Sequence, residues 1–254
     1  MSPNTTQLSE RKALVTGSTA GLGAATARAL AAHGAFVIVN GRNSSRGEAV
    51  VDEIRSLGGR AAFVDGDLGA GTDEIRHLVT RATIAAGGHI DILVNNAATL
   101  LMPTPTAEIT EQPLREAFAV NVFAPFLLTA VIAPQMARNG KGAIVNIGSI
   151  AGLRGSAGSA IYSATKAVIH SFTKSWADEY GPSGVRVNTV APGPIATERQ
   201  LEFADHVGPM LARIPSRRMS TPEEVAVAVL FLASDDATNI QGTVLSVDGG
   251  WAAV

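Results

Sequence analysis

Short apolar runs alternate with longer amphipathic ones along most of the chain. Seven runs read as strands: ALVT (13–16), FVIV (36–39), AAFVD (61–65), DILVN (91–95), AIVNI (143–147), VRVNTV (185–190) and TVLSV (243–247). Most are continuously apolar rather than alternating, as parallel strands buried on both faces should be. Helical stretches are expected at about 21–33, 45–57, 72–86, 109–138 with a break near Asn121, 160–180 and 222–233. Gly34, Gly58, Gly87 and Gly140 fall where helices should stop. Thr221-Pro222-Glu223-Glu224 offers a cap, a proline at the first helical position and acidic residues in the first turn. Strict β/α alternation predicts an α/β fold, a doubly wound parallel sheet of seven strands with helices on both faces. Nothing resembles a linker or a repeat, so residues 11–254 are expected to form one domain after a flexible tail, 1–10.

Composition narrows the function classes. The 254 residues are 46% hydrophobic with a formal net charge of −2 and no long basic run, which does not suggest a nucleic-acid partner. The absence of cysteine removes disulfides, thiol nucleophiles and cysteine-based zinc sites. His33, His77, His89, His170 and His206 are scattered without metal-ligand spacing, so no metal is expected and each reads as a surface or packing residue. Residues 1–10 lack the apolar core of a signal peptide, and no uninterrupted apolar run reaches the roughly 18 residues of a membrane span. A soluble cytoplasmic protein is the expectation.

The first strand runs into Thr16-Gly17-Ser18-Thr19-Ala20-Gly21-Leu22-Gly23 and then a helix. Glycines here permit a sharp turn, close backbone approach to a pyrophosphate and tight helix–strand packing, and the helix N-terminus favours an anion. The spacing departs from the ordinary dinucleotide fingerprint, and a ligand-free glycine turn is the alternative. The second strand ends VNGRN: where an acidic residue would accept from adenosine ribose hydroxyls stand Asn40 and Gly41, followed by Arg42. Arg42 can pair with a 2′-phosphate, which favours NADP(H) and leaves NAD(H) open; otherwise it is an exposed loop arginine. Asp67 and Leu68 can meet the adenine edge. Asn95, Asn96 and Ala97 end the fourth strand, where the two amides can bond neighbouring backbone and hold a ribose wall or simply form a turn.

The stretch after the fifth strand carries the candidate chemistry. Tyr162 and Lys166 are four residues apart and share one face of a helix. A phenol ionises near pH ~10, and a neighbouring ammonium should lower that value and make Tyr162 a proton donor and acceptor for a carbonyl/alcohol couple. Ser149, at a strand end, can bond the same substrate oxygen. Taken alone, Tyr-x-x-x-Lys is a common coincidence.

The ordered set TGSTAGLG, NNAA, Asn121, Ser149, YSATK, PGPIAT and VDGGW resembles the short-chain dehydrogenase/reductase family in its single-domain form, over roughly residues 11 to 251. Ser149 precedes Tyr162 by 13 residues, a spacing common in that family. The resemblance implies an NAD(P)-dependent oxidoreductase interconverting a ketone and a secondary alcohol. It implies that Tyr162 is the acid/base, that Ser149 polarises the carbonyl, and that Lys166 lowers the tyrosine pKa and bonds the nicotinamide ribose. By the same resemblance Asn121 holds a water joining Lys166 to solvent. Pro192, Gly193, Ile195 and Thr197 belong to the segment that meets the nicotinamide, with Ile195 and Thr197 against its carboxamide. The chain departs from the family pattern at Ala98, where glycine is usual, and at Ala20, where many NADP-using relatives carry a basic residue. A non-catalytic dinucleotide-binding regulator is the rival from another class, and a 3-oxoacyl-carrier-protein reductase the rival within it.

Residues expected to face a small-molecule substrate are mostly apolar: Ile150, Ala151, Leu153, Ala98 to Leu101, Leu201, Phe203, Met210, Leu211 and Ile214, with Arg154, Arg199 and Glu202 for polar ends. The acidic WADEYGPS after the catalytic helix argues against an acidic carrier. Apolar surplus on 109–138 and 160–180, including Phe126, Phe172 and Trp176, points by resemblance to a homotetramer.

Overall fold

The computed structural model describes residues 7–198, 208 and 210–254. Seven parallel strands lie in the order β3-β2-β1-β4-β5-β6-β7. They are β1 (Lys12–Val15), β2 (Phe36–Gly41), β3 (Arg60–Asp65), β4 (Ile92–Asn95), β5 (Gly142–Ile147), β6 (Val185–Pro192) and β7 (Val244–Val247). Among the described residues the α-helices are α1 (Gly21–Ala32), α2 (Ser44–Ser56), α3 (Thr72–Ala85), α4 (Glu111–Phe118), α5 (Ala124–Arg138), α6 (Ala160–Tyr180) and α7 (Pro222–Ala233).

Successive strand residues face opposite sides, so one strand feeds two cores. Ala13, Val15, Val37, Val39 and Val145 pack on the α1, α2 and α7 side, while Leu14, Ile38, Leu93 and Ile144 pack on the side of α3, α5 and α6. Both faces are thus covered, which is why the strands read as unbroken apolar runs. The strand order reverses between β1 and β4, which opens a crevice at their carboxyl ends. The loops after β1, β4, β5 and β6 meet there.

Three expectations change. Residues 7–10 are not a loose tail: Leu8 is 1% exposed, its N–H bonds the His33 carbonyl, and burying that side chain docks the segment on the first core. The long helical run does not break at Asn121 but widens into a π-helical turn, Ala119–Phe123, between α4 and α5. That run, Glu111–Arg138, is long and apolar enough to cross a membrane, with a hydropathy of 1.9 in its most apolar window, although interrupted by polar residues. Half of that window is buried inside the fold, where it forms a layer of the second core.

Candidate active site

The glycine loop is built for a close neighbour. Gly17 has φ +62°, and a Cβ there would lie 2.8 Å from Ala97 Cα. A Cβ on Gly23 would run into the Gly17 carbonyl and, at 2.5 Å, the Asn96 amide nitrogen. Gly21 has φ +52°, with Thr197 across from it: its Cγ2 would stand 3.3 Å from a Cβ at Gly21. α1 begins with Ala20 as its cap, which offers no side-chain acceptor, and no acidic residue occupies its first turn. Uncapped N–H donors at the positive end of a helix suit a pyrophosphate, so the residues present fit a dinucleotide. Ser18 and Thr19 complete the turn. Ser18 is buried, its hydroxyl donating to Val15 O and accepting from Asn40 N, while Thr19 stands against Gly41.

The β4 amides divide their work. Asn96 Nδ2 donates to the carbonyls of Thr16 (2.8 Å) and Gly17 (3.0 Å) and so holds the glycine loop. Asn95 points elsewhere, its Nδ2 donating to Asn146 Oδ1 at 2.8 Å. Of the two amides expected to bond neighbouring backbone, Asn96 does so and Asn95 bonds a side chain of β5 instead. Asn146 Nδ2 in turn donates to Thr173 Oγ1 at 2.8 Å, and Thr173 shares a 2.6 Å hydrogen bond with Thr189. This buried polar ladder ties α6 to β4, β5 and β6.

At the adenosine end, Gly41 carries no side chain, and a Cβ there would meet Thr19 Cγ2 at 2.6 Å. Arg42 is exposed, with Nη1 3.8 Å from Asp67 Oδ2, and Asp67 Oδ1 accepts from Gly69 N. Leu68 is buried in the second core. After β6, Gly193 packs on Asp248, and Ile195 pairs with Ser220 in an isolated bridge.

Ser149 lies two residues beyond the end of β5 at 9% exposure, and its Oγ accepts from Ala151 N at 3.1 Å. Tyr162 lines a cavity of about 180 Å³ with Leu101, Met102, Ile109, Pro113 and Ile161; Glu108 is the charged residue on its wall. Burial pushes the Tyr162 phenol above its usual pKa, and the Ser149 hydroxyl pulls the other way. Lys166 is 3% exposed, donates to Ile147 O at 2.8 Å, and lies 5.7 Å from the Tyr162 ring centroid. Burial pushes its ammonium down to about 8. The net shift of the phenol is therefore upward rather than downward, because desolvation dominates and the Lys166 ammonium is aimed at a main-chain carbonyl.

Asn121 lies in the π-helical turn, a feature often found at functional sites. Its Oδ1 accepts from Thr99 N at 2.7 Å, while Nδ2 donates to Thr99 O and Thr165 Oγ1. The side chain thereby joins the loop after β4 to the helix bearing Tyr162 and Lys166.

Of the expected substrate-facing residues, Arg199, Leu201, Glu202 and Phe203 lie outside the described residues. Ile214 is fully buried and packs by Gly249, so it does not face a substrate. Arg154 donates to Trp251 O at 2.9 Å and stacks 5.1 Å over that ring. Glu179, in the acidic segment, lies near the far end of α6, 17 residues beyond Tyr162. At 1.5 Å rise per residue that is about 25 Å, too far to bear on carrier docking at the site.

A family model described as enoyl-(acyl carrier protein) reductase matches residues 17–252. A cis-4-hydroxycyclohexanecarboxylate dehydrogenase of Sinomonas cyclohexanicum is 41% identical, covering 96% of this chain and 98% of its own. A 3-oxoacyl-[acyl-carrier-protein] reductase of Synechocystis sp. is 40% identical, with 96% and 98% covered. Among solved structures, a 7 alpha-hydroxysteroid dehydrogenase complexed with NADH and 7-oxo glycochenodeoxycholic acid superposes with a TM-score of 0.92 at 34% identity, covering 98% and 97%. With a dinucleotide crevice at the sheet's switch point and a serine, tyrosine and lysine gathered beside it, the chain belongs to the short-chain dehydrogenase/reductase family, as an NAD(P)-dependent oxidoreductase of alcohols and ketones.

Proposed function

We propose that this enzyme interconverts a largely apolar, cyclic secondary alcohol and its ketone, with Tyr162 as the acid/base. The observation that carries the reading is Tyr162 on the wall of a mostly apolar cavity, with Ser149 beside its phenol. The cyclohexane and steroid alcohols named for two relatives support the substrate class.

The nicotinamide cofactor, when bound, supplies or accepts the hydride. Gly17, Ser18, Thr19, Gly21, Leu22 and Gly23 would hold its pyrophosphate end. Pro192, Gly193, Ile195 and Thr197 would bound the nicotinamide end, and Lys166 would bond its ribose. Tyr162, kept protonated by burial, donates its proton to the ketone oxygen in reduction and takes it back in oxidation. Ser149 donates a hydrogen bond to the same oxygen and shares the charge that develops on it. Asn121 keeps the β4 loop and α6 in register. The lack of an acidic side chain at Asn40 and Gly41, with the exposed Arg42 next to them, favours NADP(H).

The test is a panel of cyclohexanones, steroid ketones and an acetoacetyl thioester, followed by absorbance with NADPH and NADH. Cyclic ketones are expected to turn over fastest, with NADPH, and Tyr162→Phe should lower kcat by about 10² to 10⁴-fold. A preference for the thioester would move the assignment to 3-oxoacyl-carrier-protein reduction, the activity named for the Synechocystis relative. Cofactor binding without turnover of any alcohol or ketone would favour the regulator.

A further inference from the structure

One buried titratable side chain at the site has no part in that chemistry. His170 follows Lys166 by four residues, so Tyr162, Lys166 and His170 succeed one another along one face of α6. It is 5% exposed, and neither ring nitrogen has a hydrogen bond of ordinary geometry, the Gly152 backbone being the polar group beside it. Burial, reinforced by the charges of Lys166 and Lys174, holds the imidazole down to about 4, against a weaker opposing pull from the Gly152 backbone, so it is neutral at pH 7. A buried polar ring with poorly paired nitrogens is destabilising relative to an apolar side chain of the same size, which asks for a compensating role.

Its surroundings supply one. A Cβ on Gly148 would collide with His170 Nε2, and a Cβ on Gly152 would come within 2.7 Å of His170 Cε1. These two glycines bracket Ser149, Ile150 and Ala151. The imidazole therefore lies in a notch formed by both ends of the turn that presents Ser149. Gly152 also abuts the α6 backbone, 2.8 Å from a built Cβ to the Lys166 carbonyl carbon, so the turn and the helix meet without side chains between them. On the strand side Thr189 closes the notch, its Cγ2 standing 2.7 Å from where a Cβ on Gly148 would be.

We propose that His170 is a positioning residue, a wedge between Gly148 and Gly152 that sets where the Ser149 hydroxyl stands relative to Tyr162. The inference rests on Ser149 acting as described under the proposed function. A displacement of about 1 Å in a reacting group can reduce a rate by 10²-fold, so a side chain that fixes this turn has leverage on kcat without touching substrate or cofactor.

The test is a double-mutant cycle on ketone reduction. His170→Ala is expected to lower kcat by about 10- to 100-fold. Cofactor affinity, read by quenching of NADPH fluorescence, should remain within about twofold. The His170→Ala/Ser149→Ala double variant should be no slower than Ser149→Ala alone, because the wedge acts only through the serine. His170→Gln, which leaves the α6 backbone alone and fills only part of the notch, serves if His170→Ala fails to fold; it should show a smaller loss and the same lack of additivity. A costly Ser149→Ala combined with an unaffected or fully additive His170→Ala would overturn the wedge. A harmless Ser149→Ala would instead remove the role given to the serine, and the wedge with it.

Discussion

Lys166 shows how a single residue can oppose stability and serve function. Its ammonium is buried with one main-chain carbonyl as hydrogen-bond partner, and burial holds its pKa down to about 8, below the value of a free lysine near ~10.4. The unfolded chain therefore binds more protons between those two values, so stability should rise with pH from about 8 to about 10.4. Below that window the folded protein carries a desolvated cation at a cost. Lys166→Met, which keeps the length and drops the charge, should raise unfolding stability at pH 7 by on the order of 1–2 kcal/mol, less than the full shift because Ile147 O loses its donor. It should also flatten the alkaline rise and abolish carbonyl reduction. Urea titrations at pH 7 and pH 10, beside an activity assay, check all three. A less stable Lys166→Met would mean that the hydrogen bond to Ile147 outweighs the burial of the charge.

At the scale of elements, α6 is held to the sheet by polar links that a hydrophobic pattern does not reveal. The seven strands and most helix limits were legible because burial on both faces writes itself as apolar runs and because glycines mark the ends of helices. That Tyr162 and Lys166 share one face of α6 was legible because spacing on a helix is a local property, while the roles given to them and to Ser149 came from the resemblance of the whole ordered set of motifs. The partners of Asn95, Asn146 and Thr173 were not, since each contact spans 16 to 51 residues of chain. Nor was the choice of Asn96 over Asn95, which turns on which side of β4 each amide leaves. His170 had a faint signal in its four-residue step from Lys166, but only folding brings Gly148 and Gly152 to it. Asn121 makes the point testable. Its amide supplies both hydrogen bonds of Thr99 and one of Thr165, at 2% exposure. Asn121→Ala strands these groups and should cost about 1–3 kcal/mol in urea unfolding, with a fall in kcat as the β4 loop loosens. Unchanged stability would show that the π-helical turn holds without the amide.

For the whole molecule, the surface that stays apolar is the outer side of the α5–α6 layer. Phe123 is 58% exposed, Phe126 47% and Val131 40%. Phe126, Phe172 and Trp176 form a ring cluster, with Phe126–Phe172 centroids 5.4 Å apart and Phe172–Trp176 5.0 Å. A groove of about 460 Å³ lies beside it, walled by Leu68, Ile75, Val122, Phe126 and Phe172. Phe123 and Phe126, exposed side by side on the wall of this groove, mark a contact surface rather than scattered apolar residues, and a charge set among them would be desolvated by any partner that covers them. The homotetramer expected from the sequence would bury this face between copies. Light scattering should then give about four times the 26.1 kDa chain mass for the parent protein. Phe126→Glu should give a smaller assembly with its helical circular dichroism intact, because nearly half of that side chain lies outside the core. A parent protein that runs as a monomer would end the tetramer reading. A Phe126→Glu variant that stays tetrameric would move the interface to another face.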